Sequence, residues 1–392
     1  MPTPDRPIRV IIQQPSLARY RIPIFRELAR RPGIDLHILY GQTPDIPNVA
    51  PEGFNATLVP FSRIGLPRAL ALWHRAQYSH ARRDRADVLV LSWSSRFLSL
   101  VPALARARRN GVGTVLWGHG YSKAETGWRA DTRRRIADMG SCLLFYNRSA
   151  AQAYINAGAS APERVFVALN SLDQTPIRAA RDGWLTNPER LTAFQTQHQV
   201  GLPGDKTILY VSRFHPANRV DLLIHAAAAL APEFPRLRIV LIGKGQGESD
   251  LRALAASLNL TDRVRFLGAI YDEDSLAPWF LSSQVFCYPA NIGLSILHAF
   301  GYGLPVVTSD RIEQQNPEIE SLHHARNGLT YTDGNPQALA AALRQLLTDD
   351  ALRQRLSAGA TATVETEFSL PRMVDGMVEA IRFAALQPAP PK

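Results

Sequence analysis

Short apolar runs alternate with amphipathic stretches along the first half of the chain. The apolar runs predict strands at Ile8–Gln13, Leu36–Tyr40, Val88–Trp93, Thr114–Trp117, Cys142–Tyr146 and Val165–Ala168. The amphipathic stretches between them predict helices at Ile22–Arg30, Arg68–Arg83, Leu98–Arg109, Arg129–Met139 and Ser149–Ala157. Alternation of this kind is typical of a parallel sheet covered by helices.

Prolines and glycines interrupt this pattern between residues 171 and 204, where one polar helix is predicted to start after the cap Asn187. The alternation then resumes. Strands are predicted at Thr207–Ser212, Leu237–Ile242, Val264–Leu267, Gln284–Tyr288 and Val306–Thr308. Helices are predicted at Val220–Ala231, Ser249–Leu258, Leu276–Leu281, Ser295–Tyr302, Pro336–Leu347 and Pro371–Ala385.

The pattern therefore predicts an α/β fold with two doubly wound parallel-sheet domains. A length of 392 residues supports this division, because single cores stop growing at roughly 250–300 residues. We expect a first domain over residues 1–172, a linker and lead-in helix over 173–204, and a second domain over 205–370. Residues 371–392 are expected to form a terminal helix and a disordered, proline-rich tail.

Composition narrows the class of protein. The two cysteines, Cys142 and Cys287, lie in apolar runs, which argues against a disulfide framework or a zinc site. No signal peptide and no run of about 18 apolar residues is present, so we expect a cytoplasmic protein. The formal net charge is +10, yet no nucleic-acid recognition motif accompanies it. An anionic membrane surface is the more plausible partner, with the protein peripheral at the inner face.

Three loops that follow predicted strands of the second domain are candidates for chemistry. They are Ser212–Arg219, the glycine-rich turn Gly243–Gly247, and the stretch Tyr288–Thr308 around Gly293. Since parallel strands end at one edge of a sheet, these loops are expected to converge there and to suit an anion such as a pyrophosphate. Each loop alone has a simpler explanation, namely tight packing for the glycine turn and a surface ion pair for Arg213.

The order and spacing of several motifs carry a more specific signal. In the second half these are Arg213, Val220–Ile224, Val240–Gly245, Val264–Gly268, Gly293–Ser295 and Gly303–Val307. Elsewhere they are Tyr20–Phe25, Trp117–Gly120, Asn170–Asp173, Asn316–Glu318 and Asn327–Gly328. Over residues 8–385 the chain resembles the retaining family-four glycosyltransferases, also described as group 1 glycosyl transferases.

This resemblance implies the GT-B architecture, in which two Rossmann-like domains face each other across a cleft. A nucleotide-sugar donor would bind the second domain and a saccharide or lipid-linked acceptor mostly the first. The resemblance implies neither a metal nor another cofactor, since the donor is a co-substrate. Arg213 and His119 would be the catalytic residues, Arg213 by neutralising the diphosphate leaving group and His119 by facing the transferred sugar.

The residues that the resemblance assigns to donor binding are Asn218, Arg219, Gly243, Gly293, Leu294, Ser295, His298 and Glu318. Three positions depart from the family pattern. Ala290 and His298 stand where many members have two glutamates, and Asn218 stands where many have a lysine, with Arg219 as a replacement cation.

Simpler explanations remain open for several of these residues. His298 could be hydrogen-bonded locally, Arg219 solvated at a helix start, and Glu318 a helix cap. His119 could be a structural histidine. The helix predicted around Trp73 and Tyr78 could contact a membrane, although burial against the sheet is the stronger interpretation.

The function expected from the resemblance is transfer of a hexose from a nucleotide-diphosphate sugar, with retention, in cell-surface polysaccharide or glycolipid assembly. One alternative is a nucleotide-sugar epimerase of GT-B fold. The other is a non-catalytic nucleotide-sugar-binding relative, which the departures at Ala290 and Asn218 make credible.

Overall fold

The computed structural model describes residues 6–43, 46–64, 71–120 and 127–387. Contacts divide the chain into two compact units. The first unit comprises Met1–Asn170 together with Leu370–Lys392, and the second comprises Ser171–Ser369. In the described residues no helix is long and apolar enough to cross a membrane.

The strands are numbered in chain order. They are β1 Ile8–Gln14, β2 Ile34–Tyr40, β3 Asn55–Leu58, β4 Ser62–Ile64, β5 Ala71–Trp73, β6 Val88–Ser92, β7 Gly113–Gly118, β8 Cys142–Phe145, β9 Val165–Val167, β10 Lys206–Val211, β11 Leu237–Ile242, β12 Val264–Phe266, β13 Val285–Cys287, β14 Val306–Ser309 and β15 Gly328–Tyr331.

The helices are α1 Ile22–Ala29, α2 Arg75–Ser79, α3 Leu100–Arg109, α4 Gly127–Ala137, α5 Arg148–Asn156, α6 Thr175–Leu185, α7 Pro188–His198, α8 Val220–Leu230, α9 Glu248–Ser257, α10 Glu273–Leu281, α11 Ser295–Gly301, α12 Pro336–Thr348, α13 Asp350–Thr366 and α14 Leu370–Leu386.

The first unit is built on a seven-stranded parallel sheet in the order β3-β2-β1-β6-β7-β8-β9. Its central strands are buried on both faces, because helices cover each side. The terminal helix α14 belongs to this unit and lies directly on β7, where a Cβ at Gly113 would overlap the carbonyl oxygen of Ala384. The glycine thus permits the close approach of helix and strand.

The second unit contains a six-stranded parallel sheet in the order β12-β11-β10-β13-β14-β15. Residues 173–204, predicted as a linker with a lead-in helix, form α6 and α7 within this unit. Helix α7 starts where predicted, since the Asn187 side chain accepts a hydrogen bond from the Arg190 backbone amide and Pro188 occupies the first turn.

The predicted fold class, α/β with two parallel-sheet domains, is confirmed. Most predicted strands agree with the observed ones to within two residues, because continuous apolar runs mark buried parallel strands. The structure adds elements that the pattern did not predict: β3, β4, β5, β15, α6 and α13. Most of these strands are short, and β3 and β4 are largely exposed, so they lack a strong apolar signal. The predicted disordered tail falls mostly on residues 388–392, which lie outside the described residues.

The helix predicted over Arg68–Arg83 is wrong in its described part. Ala71–Trp73 forms β5, which pairs antiparallel with β4, and only Arg75–Ser79 is helical. The long amphipathic helix that would present Trp73 and Tyr78 to a membrane is therefore absent from residues 71–83. Both cysteines are buried free thiols, and burial raises the pKa of Cys142 to about 12.

A buried histidine makes the first unit sensitive to acid. His74 is fully buried and packs against the rings of Phe61 and Phe97, and burial lowers its pKa from 6.5 to about 4. The unfolded chain therefore binds the proton more readily, so the free energy of unfolding falls as the pH drops from 6.5 toward 4.

Between pH 7 and pH 5, the free energy of unfolding of the wild type should fall by about 2 kcal/mol more than that of the His74→Phe variant. Urea denaturation at the two pH values measures this difference. An unchanged pH dependence in the variant would show that another group dominates the acid response.

Candidate functional site

The carboxyl edge of the second sheet contains a cavity of about 420 Å³. Chain order reverses between β10 and β13, which are neighbours in the sheet. Loops that leave adjacent strands at such a reversal separate and open a crevice, where α/β proteins bind ligands. The cavity is lined by Ser212, Arg213, His215, Asn218, Tyr288, Asn291, Gly293, Leu294, Ser295 and Asn316.

A buried asparagine joins the two loops that line this cavity. The Asn218 side-chain amide donates to the carbonyl oxygen of Arg213 at 2.8 Å and to the hydroxyl of Tyr210 at 3.1 Å. Its Oδ1 atom accepts a hydrogen bond from Asn291 Nδ2 at 3.0 Å, and Asn316 Nδ2 in turn donates to the Asn291 carbonyl at 2.9 Å. Asn218 therefore shapes the cavity as well as lining it.

Arg213 supplies the cavity with a positive charge. Its side chain is exposed and lines the cavity, and no carboxylate in the described part of the chain forms an ion pair with it. The described residues therefore do not support the alternative that Arg213 forms a surface ion pair. A guanidinium in this setting can bind phosphate oxygens through charge-assisted hydrogen bonds.

The glycine-rich turn after β11 packs against the loop after β10. A Cβ at Gly243 would overlap the carbonyl oxygen of Ser212, and a Cβ at Gly245 would overlap that of Phe214. The Phe214 backbone amide donates to the Lys244 carbonyl at 3.1 Å. Gly243 is not among the lining residues, so its visible role is packing, and its role in donor binding stays a prediction.

Gly293, Leu294 and Ser295 line the cavity as a continuous segment at the start of α11. A Cβ at Gly293 would lie 3.5 Å from Asn316 Nδ2 and 3.9 Å from Glu318 Oε2, both ordinary contacts. The fold therefore does not require glycine here. Glu318 is buried in the short 3₁₀ helix Pro317–Ser321 beside this segment and is not a lining residue.

Arg219 and His298 lie outside the set of lining residues. Arg219 has a left-handed backbone with φ of 51° and forms an ion pair with Asp221, Nη2 to Oδ2 at 3.0 Å. His298 Nε2 is 2.7 Å from Glu273 Oε1, which also accepts a hydrogen bond from the Tyr302 hydroxyl at 2.6 Å. Arg219 is thus ion-paired rather than solvated, and His298 contacts a residue of another helix rather than a local one. The proposed roles of both residues in donor binding stay predictions.

Glu273 is the charged partner in this cluster. Burial opposes its ionisation, but the hydrogen bonds from His298 and Tyr302 outweigh that effect and lower the pKa of the carboxyl. Burial and the adjacent Glu273 carboxylate raise the pKa of Tyr302. The cluster therefore holds a carboxylate next to His298.

His119 belongs to the first unit, whereas the residues that line the cavity belong to the second. It follows β7 and is exposed, and its ring lies 4.8 Å from the ring of Tyr146. The flanking glycines permit close packing, since a Cβ at Gly118 would lie 2.9 Å from Trp93 Cβ and one at Gly120 would overlap the Phe145 ring. The catalytic role of His119 stays a prediction.

Sequence reasoning missed several members of the site. Ser212, His215, Tyr288, Asn291 and Asn316 line the cavity, and all lie within or beside motifs that were recognised. Asn291 follows a buried strand and precedes Gly293, which is a detectable signal. Glu273 has no detectable signal in the sequence, because its contact with His298 arises only from the packing of α10 beside α11.

In the described residues no group of three or more potential ligands could hold a metal ion.

Comparison with known proteins is consistent with this geometry. Residues 194–363 match the family model described as glycosyl transferases group 1. A D-inositol 3-phosphate glycosyltransferase of Streptomyces bingchenggensis is 30% identical over 180 residues, covering 43% of this chain and 38% of that protein. The lipopolysaccharide core biosynthesis glycosyltransferase LpsE of Rhizobium meliloti is 27% identical over 183 residues, covering 46% of this chain and 51% of LpsE. These matches span about half or less of each relative's length.

Solved structures resemble nearly the whole chain. Anabaena HepE in complex with UDP gives a TM-score of 0.71 at 18% identity, covering 96% of this chain and 100% of HepE. A glycosyltransferase of Rickettsia africae gives 0.72 at 14% identity, covering 97% and 99%. The protein thus has the GT-B fold, with two parallel-sheet domains. The segment that resembles the group 1 glycosyl transferases, residues 194–363, lies in the second unit.

Gly243 and Gly293 give a matched test of local packing. We expect Gly243→Ala to destabilise the second unit by about 2 kcal/mol, because the loops after β10 and β11 must separate. Gly293→Ala should change stability by less than about 0.5 kcal/mol, since its Cβ makes only ordinary contacts. Thermal or urea denaturation measures both, and equal stability of the two variants would contradict this account.

The His298–Glu273 contact predicts a specific coupling. His298→Glu places two carboxylates together and should destabilise the protein by about 1–3 kcal/mol at pH 8. Adding Glu273→Gln should recover much of that loss, whereas His298→Gln alone serves as the neutral control. A double-mutant cycle by urea denaturation measures the coupling, and additive effects would rule the contact out.

Proposed function

We propose that the protein is a retaining hexosyltransferase. It takes a hexose from a nucleotide-diphosphate sugar and transfers it to a saccharide or lipid-linked saccharide acceptor, in cell-surface polysaccharide or glycolipid assembly. The observation that carries the proposal is the position of Arg213, a cation without an ion-pair partner in the described residues, in a cavity at the chain reversal of the second sheet.

The other cavity residues fit a sugar diphosphate. Asn291 and Asn316 provide neutral amides, Ser295 a hydroxyl, and Gly293 leaves room for a ligand to approach the backbone. Amides and hydroxyls can bind sugar hydroxyls, whereas the guanidinium suits the diphosphate. HepE has been solved with UDP and with UDP-glucose, which makes UDP the first nucleotide to test.

In the proposed reaction, the bond between the anomeric carbon and the diphosphate oxygen breaks, and Arg213 stabilises the charge that develops on the leaving group. The acceptor hydroxyl attacks from the same face, which retains the anomeric configuration. Its proton passes to the departing phosphate oxygen, so the products are the extended acceptor and a nucleoside diphosphate. His119 would contact the transferred sugar, and no metal is included.

Peripheral contact with an anionic membrane at the cytoplasmic face is part of the proposal. Helix α4 has a tryptophan, Trp128, that is 66% exposed, beside Arg129 and with Arg134 and Arg135 in its last turn. Aromatic and basic side chains together favour the headgroup region of anionic bilayers. A lipid-linked acceptor would make such contact useful, and LpsE is named for lipopolysaccharide core biosynthesis.

The epimerase alternative is not favoured by the comparisons, whose named relatives are glycosyltransferases. A non-catalytic binding role stays a second candidate because Ala290, buried beside the cavity loop, offers no carboxylate to a donor sugar. The three outcomes differ in their products. Transfer releases nucleoside diphosphate and enlarges the acceptor, epimerisation changes the donor sugar, and binding without turnover does neither.

Arg213→Ala should lower turnover at least 100-fold, because transition-state charge on the leaving diphosphate loses its cation. Release of nucleoside diphosphate and mass spectrometry of the acceptor measure this, after a thermal-shift comparison of UDP, GDP and ADP identifies the nucleotide. Product NMR at the new linkage reports whether configuration is retained.

Arg344→Ala is the matched control, because Arg344 is a surface arginine of the same unit that pairs with Glu233. It should turn over like the wild type. Full turnover by Arg213→Ala would reject the assignment of this cavity as the donor site.

A further inference from the structure

The first unit contains a buried arginine whose charge has no ionic partner. Arg21 is only 6% exposed, and no ion pair joins it to a carboxylate in the described residues. A guanidinium carries five N–H donors, yet the side chain makes one hydrogen bond, from Nη2 to the Tyr146 hydroxyl at 3.2 Å. Its Nη1 atom is buried without a hydrogen-bond partner.

Aromatic rings surround this guanidinium. Its central carbon lies 4.6 Å from the ring centre of Trp117, 5.2 Å from that of Tyr20 and 5.3 Å from that of Tyr146. Ring faces attract a cation, and they partly replace the water that burial removes. They neither neutralise its charge nor accept its remaining N–H groups in good geometry, so the site is left electropositive.

Arg21 lies at the edge of the sheet where α/β proteins bind ligands. It follows β1, Trp117 lies near the end of β7, and Tyr146 follows β8, so all three are at the carboxyl edge of the first sheet. The exposed ring of His119 packs on Tyr146, and Tyr20 is 36% exposed. Exposed side chains change rotamer rapidly, so a rotation of Tyr20 would open the guanidinium to solvent.

We propose that Arg21 anchors an anion-binding subsite in the first unit, which takes a phosphate or carboxylate group of the acceptor. The planar fork of the guanidinium matches either oxyanion with two parallel hydrogen bonds. The assignment to the acceptor rests on the proposed function, whereas the subsite itself rests only on the geometry around Arg21. The acceptor class would then be an anionic saccharide or a saccharide carried on a phosphate.

The test uses the full chain saturated with UDP, so that the cavity around Arg213 is occupied. Inorganic pyrophosphate and glucuronate are titrated separately by calorimetry, and the tighter probe distinguishes a phosphate site from a carboxylate site. We expect Arg21→Met to weaken binding of the preferred probe at least tenfold and Arg21→Lys to weaken it less. UDP affinity should stay within twofold in both variants.

Arg106→Met is the matched control, because Arg106 stacks on Tyr78 at 4.4 Å in the same unit without lying at the sheet edge. It should bind the probe like the wild type. Unaltered probe binding by Arg21→Met, or no probe binding by the UDP-saturated wild type, would overturn the proposal.

Hydrogen exchange of the wild type keeps the test decisive if Arg21→Met fails to fold. The preferred probe, added over UDP, should slow exchange in residues 19–22 and 117–119. Protection by UDP alone in those segments would overturn the assignment to the acceptor and give the subsite to the donor diphosphate. If none of UDP, GDP and ADP binds, the proposed function fails, and the same probe titration of Arg213→Ala still tests the Arg21 subsite.

Discussion

The hydrogen bonds of the Asn218 side chain are the constraint on which the candidate site depends. One buried amide links the strand residue Tyr210, the carbonyl of Arg213 and the side chain of Asn291. Because Asn316 continues the chain of contacts to Asn291, segments after three different strands are fixed relative to one another. Arg213 can then be exposed and still have a defined backbone position, which preorganisation of a charge requires. A lysine at position 218 would place a second cation in the cavity, whereas asparagine organises the cation already there.

The same topological logic operates in both units. The second sheet reverses chain order between β10 and β13, and the first between β1 and β6. In each case an arginine lies at the carboxyl edge of the sheet near the reversal, Arg213 in an open cavity and Arg21 among aromatic rings. The difference in burial has a chemical consequence. An exposed guanidinium binds and releases a leaving group with little reorganisation, whereas a buried one discriminates more strongly between an anion and water.

The hydrophobic pattern was sufficient for the fold class and for most central strands, because parallel strands buried on both faces appear as continuous apolar runs. It failed at Ala71–Trp73, where a three-residue strand pairs antiparallel with an exposed neighbour and helical spacing continues across it. Within the site, motif spacing led to Arg213 and Gly293, which lie on loops directly after strands. It could not lead to Glu273 or to the surroundings of Arg21, since both depend on side chains from helices and strands that are distant in sequence. Local spacing carries no information about such contacts.

The pairing of His298 with Glu273 determines the charge around position 298. A histidine on α11 without a charged neighbour would change the electrostatics that a glutamate at the same position provides. Here a carboxylate approaches from α10 instead, 2.7 Å from the imidazole, and its lowered pKa keeps it ionised near neutral pH. The negative charge is therefore kept close to position 298 while the group on α11 becomes an imidazole. Ala290 is buried, and its backbone amide donates a hydrogen bond to the Asn218 carbonyl. The two positions are thus physically unlike, since a carboxylate lies beside His298, whereas Ala290 has only a methyl group and no polar side-chain atom.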